Sequence, residues 1–111
     1  MKLINNKMTL ESGDIEIVRK EMDKVTADYP MDIDDRGNAT VYFDDMVQAE
    51  IAPNVYVDVF GYEKQGYSYE EETNYICQDW SEREISKVIA YYHGEECEIA
   101  DYDNIIKQLA A

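Results

Sequence analysis

The chain has 111 residues, with twenty-five Asp and Glu against ten Lys and Arg, giving a formal charge of −15. At this length it is expected to form one domain over residues 1–111, and a hydrophobic fraction of 45% is that of a folded chain. Direct binding to nucleic acid, or to an anionic membrane surface, draws on positive charge that this chain lacks, so both partner classes are set aside.

Residues 1–10 carry Lys2 and Lys7 with no apolar run behind them, unlike a secretory leader. No window approaches the roughly 18 consecutive apolar residues of a membrane span. A soluble, cytoplasmic protein is the expectation. In a reducing compartment Cys77 and Cys97 are expected as free, at least partly buried thiols, although a bridge between them stays open without geometry. Ten Tyr stand against two Phe and one Trp, a bias suited to half-buried sheet faces or to contact surfaces.

The charge is positional. Residues 1–27 hold five acids and five bases, which cancel, so the whole −15 belongs to residues 28–111. In the first quarter Ile15, Val18, Met22, Val25 and Tyr29 fall on one helical stripe. The spacing predicts a helix over 12–29, capped by Ser12 or Asp14 and ended by Pro30. Residues 32–38 read as a turn.

From Ala39 the period becomes two. Val41, Phe43, Val47, Ala49 and Ile51 alternate with Tyr42, Asp44, Met46, Gln48 and Glu50, with Asp45 out of step. That is either one strand bulged near Asp44-Asp45 or a hairpin there. After a turn at Ala52-Pro53-Asn54, Val55, Val57 and Val59 alternate with Tyr56, Asp58 and Phe60, the clearest strand in the chain. Residues 63–66 read as a turn and 67–77 as a returning strand, completing an antiparallel meander over 39–77. Its expected inner face is Val-rich, and its outer face carries Tyr and acids.

Residues 81–93 read as helix or strand. Ser81 with Glu84 makes a capping box, and Ile85, Val88, Ile89 and Tyr92 make a helical stripe, which is preferred. The alternative is a strand returning through a His93-Gly94 turn to Cys97 and Ile99. Asp101 is expected to cap a last helix over 101–110, with Tyr102, Ile105, Ile106 and Leu109 on one face. The expected fold is therefore α+β: an N-terminal helix, an antiparallel meander of three to four strands, and a C-terminal helix or helices packed on one face.

Chemistry is sparsely marked. Asp32, Asp34 and Gly37 resemble the start of a calcium loop, but Arg36 and Phe43 occupy two of its ligand positions, which leaves an acidic turn. Cys77 has no nearby second ligand, and Gly94 lies between His93 and Cys97, so neither a zinc site nor a Cys–His nucleophile is indicated. The five glycines form no phosphate loop, and no single carboxylate pair stands out among so many acids. No metal, no cofactor and no enzymatic activity are expected.

What remains is the interleaving of acids with tyrosines: Tyr42, Asp44, Asp45, Glu50, Tyr56, Asp58, Tyr62, Glu63, Glu70, Glu71 and Glu72. A second acidic patch holds Glu95, Glu96, Glu98, Asp101 and Asp103. One reading is a solvated surface that keeps a small interaction or accessory domain in solution. The other is a partner face, in which acids on alternate strand residues, about 6.6–6.8 Å apart, imitate a line of phosphates. Tyr rings would add rigid contact area that stacks against Arg.

Small size, strong acidity and this element order resemble the acidic DNA-mimic inhibitors of phages and mobile elements, of the anti-CRISPR and antirestriction type. That resemblance implies a non-enzymatic protein that blocks a basic nucleic-acid-binding protein such as a CRISPR effector or restriction enzyme. Residues 55–109 also look like small phage proteins with an acidic sheet and a short final helix.

Overall fold

The computed structural model describes residues 1–27, 32–72 and 75–111. Among them the chain runs β1 (Lys2–Ile4), β2 (Lys7–Thr9), α1 (Ser12–Thr26), β3 (Asn38–Tyr42), β4 (Val47–Ala52), β5 (Val55–Glu70), β6 (Tyr75–Tyr92), β7 (Glu95–Ile99) and α2 (Tyr102–Ala110). The strands form one mixed sheet in the order β1-β2-β7-β6-β5-β3, with β4 also on β5 and only the β2–β7 pair parallel. This overturns the expected helix-led α+β fold with a short meander. The molecule is mostly sheet, and its axis is a ribbon of β5 and β6 that spans much of its 58 Å length.

Two segments with mixed local signals account for the difference. Residues 63–66, expected as a turn, run straight through β5. Gly66 serves there because Trp80, opposite it, lays its indole where a Cβ would sit, 2.0 Å from Nε1. The 81–93 segment, for which a helix was preferred, is the second half of β6. Its capping-box residues Ser81 and Glu84 lie opposite Gln65 and Tyr62. The apparent helical spacing has a strand origin, since the register slips by one residue between Phe60/Lys87 and Gly61/Ile85. That bulge puts Ile85 and Val88, three apart, on one sheet face. The alternative hairpin through His93-Gly94 is what the chain adopts, with φ of 51° and 87°.

β3 and β4 lie end to end along the same edge of β5, so the 38–52 segment is one interrupted strand and not a hairpin. Residues 43–46 loop out between them, with Asp45 at φ 61°. Phe43 N–H donates to Gly61 O at 2.8 Å, and Gly61 N–H donates to Asp44 Oδ1 at 3.0 Å. Gly61 itself has φ +143°, and a Cβ there would lie 2.1 Å from Glu84 O, so only glycine fits. At the N-terminus, which carried no expected strand, Asn5 and Asn6 at φ 51° and 61° turn the β1–β2 hairpin.

Odd-numbered residues of β4 and β5 face the core. Val47, Ala49, Ile51, Val55, Val57 and Val59 are buried together with Val88, Ala90, Cys97 and Ile99. Both helices cover this one face, α1 with Ile15, Val18 and Met22 and α2 with Ile105 and Leu109. Each fully buried Val contributes about 1.5–3 kcal/mol relative to exposure. α1 ends at Thr26 in place of the expected 29, and Tyr29 and Pro30 lie outside the described residues.

The capping expectations shift by a residue. Glu11 is the N-cap of α1, and Asp14 serves from inside the helix, accepting the Glu11 N–H at 2.8 Å. Asp101 occupies the N-cap position of α2, but at φ 55° its side chain makes no cap bond. Its carbonyl instead accepts the Ile105 N–H. Asp34 organises the acidic turn, with Oδ1 accepting the N–H groups of Arg36 and Asn38 at 2.9 and 2.8 Å. Among the described residues no helix is long and apolar enough to cross a membrane.

Candidate functional site: the open face of the sheet

With both helices on the odd face, the even face of the sheet has no helix packed on it among the described residues. Register places its occupants. Glu50 lies opposite Tyr56 and Gln48 opposite Asp58, while across the ribbon Tyr56 meets Tyr91, Asp58 meets Ile89, and Phe60 meets Lys87. Tyr62 meets Glu84 on β6 and Tyr42 on β3, Lys64 meets Glu82, and Tyr91 meets Glu96.

These side chains contact one another across the strands. Tyr62 donates its O–H to Glu84 Oε2 at 2.5 Å and packs edge-on against Tyr42 at 6.1 Å between centroids. The bond to Glu84 raises the Tyr62 phenol above its ordinary pKa, since the proton is held between two oxygens. A bond to Glu50 raises Tyr56 in the same way. The two lysines of the face are drawn onto aromatic rings, Lys87 Nζ at 4.5 Å from Phe60 and Lys64 Nζ at 5.6 Å from Tyr62. Asp58 is half-buried, and its Oδ1 has no hydrogen-bond partner among the described residues.

The residues singled out from the sequence do not form one site. Tyr42, Glu50, Tyr56, Asp58 and Tyr62 come together on the open face. Asp44 and Asp45 stand in the bulge at its rim, with Asp44 committed to Gly61. Glu70, Glu71 and Glu72 lie at the far end of the ribbon, with Glu70 about 27 Å along β5 from Tyr62.

Glu63 is on the opposite face, only 4% exposed. It accepts from Arg83 Nε at 2.9 Å and from Gln65 Nε2, so it offers nothing to a partner. Tyr67 donates on to Gln65 Oε1, and Arg83 Nη2 reaches Asp23 Oδ1 at 2.5 Å on α1. The missed members of the face, Glu82, Glu84, Lys87, Ile89 and Tyr91, were hidden by the helical reading of 81–93, while Glu96, expected in a separate acidic patch, joins this face opposite Tyr91. Their even–odd alternation up to the bulge was the available signal.

Cys97 is buried, with Sγ 3.6 Å from Ala90 O, and burial pushes its thiol pKa above the ordinary 9.0. Cys77 is also free but exposed on the ribbon, contrary to the expectation that both thiols are partly buried. Comparison with protein-family models, curated proteins and solved structures finds no match, so no functional residue is carried to this chain from a relative.

Proposed function

We propose that this chain is a non-enzymatic, cytoplasmic binding protein that lays its open sheet face against a basic nucleic-acid-handling protein and blocks the groove meant for nucleic acid. The observation that carries the reading is the composition of that face. Glu50, Glu82, Glu84 and Glu96 are interleaved with Tyr42, Tyr56, Tyr62 and Tyr91 on a sheet surface that no helix covers among the described residues. Glu82 and Glu84 are alternate residues of one strand, and so stand about 6.6–6.8 Å apart on one face. Lys64 and Lys87 sit on rings of the same face, which turns their charge inward over the aromatics. A charge of −15 steers association with a basic surface and makes it salt-sensitive.

The test is affinity capture from a bacterial lysate, with and without competing duplex DNA, using the native chain and Glu82→Lys/Glu84→Lys as baits. The expected partner is basic, is displaced by DNA, and is not retained by the double variant. Capture of neutral proteins that DNA does not displace would overturn the reading in favour of an accessory domain whose acidity serves solubility.

A further inference from the structure

Among the described residues the sheet has one long strand edge with no strand laid beside it. β7 pairs with β6 only at Ala90, Tyr91 and Tyr92, and then departs to run parallel with β2. Among the described residues no strand lies beside 80–88 of β6 on the side away from β5.

The backbone directions follow from hydrogen bonds on the other side. Gly61 O accepts from Phe43, so the odd residues of β5 bond toward β3 and the even ones toward β6. Glu84, Glu82 and Trp80, opposite Tyr62, Lys64 and Gly66, therefore bond inward to β5. Ser81, Arg83 and Ile85 then direct their N–H and C=O groups outward. Val88 N–H also points out, and Tyr102 Oη accepts it at 3.0 Å, which closes the edge at that end.

Beneath the edge lies α2, with Tyr102 bonded to Val88 and Ala110 lining the same hollow as Ser81 and Arg83. Next to its buried Ile105 and Leu109, α2 keeps Tyr102, Ile106 and Ala110 half-buried in a row at i, i+4 and i+8. An apolar ledge thus runs under an open strand edge. The other side of that edge carries exposed Glu82 and Glu84.

We propose that this edge takes an extended, basic segment of the partner as an added strand. The proposal rests on the acidic-face reading above and says what form the partner takes. Backbone groups of Ser81, Arg83 and Ile85 supply the ladder. On the face side the incoming strand meets Glu82 and Glu84, which calls for Lys or Arg at alternate positions. On the core side it meets the α2 ledge, which calls for small or apolar residues between them. A second copy of this chain is the wrong occupant, because two edges of like charge would approach with −15 on each molecule.

The probe is the capped heptapeptide Lys-Thr-Lys-Val-Lys-Thr-Lys, compared with the same peptide methylated at alternate backbone nitrogens, which keeps the charge but cannot build a ladder. Amide exchange on the native chain is the readout. The plain peptide is expected to slow exchange at Ser81, Arg83 and Ile85 by about tenfold or more, and the methylated one to leave it unchanged. Glu82→Gln/Glu84→Gln should abolish the slowing. Equal binding of both peptides without protection would overturn the added strand while leaving the acidic face standing. Binding of neither peptide would also overturn it, and the capture experiment would still decide the face.

Discussion

The two ends of the β5–β6 ribbon are built from different physics. At one end Val55, Val57 and Val59 pair with Tyr92, Ala90 and Val88 and lie under both helices, where burial of apolar area supplies the stability. At the other, the same two strands continue through Tyr69 and Ile76 with side chains 58% and 41% exposed, a ribbon that would be marginal in isolation. Between them sits the Glu63–Gln65–Arg83 network, which ties the ribbon to α1 through Asp23. One pair of strands therefore serves as core at one end and as presented surface at the other, and the polar tie marks the change.

The contrast is broken most severely at Phe43, which is fully buried where the bulge meets the core. Phe43→Ala should cost about 3–5 kcal/mol and lower the denaturant midpoint of the whole domain. Next comes the tie. Arg83→Met leaves the buried Glu63 carboxylate without its cation, at a cost of about 3 kcal/mol by urea unfolding. Adding Glu63→Gln should recover a large part of that loss. Gly61→Ala forces a side chain against Glu84 O at positive φ, and a loss of about 1–3 kcal/mol is expected in thermal melts.

Trp80→Ala perturbs the exposed end of the ribbon alone. The indole is 47% exposed over Gly66, so global stability should change by less than about 1 kcal/mol, while amide exchange over 67–70 and 76–80 accelerates. The smallest effect is a pH signature. The folded-state pKa of Cys97 lies above its unfolded value, so its protonated form favours folding below about pH 9. That contribution fades as pH rises through the folded value. Thiol titration should accordingly find Cys77 reactive at once and Cys97 silent until unfolding.

Much of the packed end was legible from sequence. Val47 to Val59 alternates cleanly because one face is buried and the other is not, and Ile15, Val18 and Met22 show the helix that covers it. The ribbon was not legible, for a specific reason. A one-residue bulge gives Ile85 and Val88 the spacing of a helix, and Ser81 with Glu84 imitates a cap, whereas pairing with sixteen residues of β5 decides the outcome. The candidate site suffered in turn. Glu63 looked like its surface neighbours in charge, and only the register of β5 against Arg83 puts it inside.

The claim that the open face is the binding surface is tested most directly by measuring partner affinity against salt for two sets of neutralised acids. Glu82→Gln/Glu84→Gln, on the face, should weaken binding by about tenfold or more, equivalent to about 1.4 kcal/mol, and flatten its salt dependence. Glu70→Gln/Glu71→Gln/Glu72→Gln, at the ribbon end, should leave affinity within about twofold of native. A loss confined to the ribbon-end triple variant, or equal affinities for all three proteins, would contradict the account.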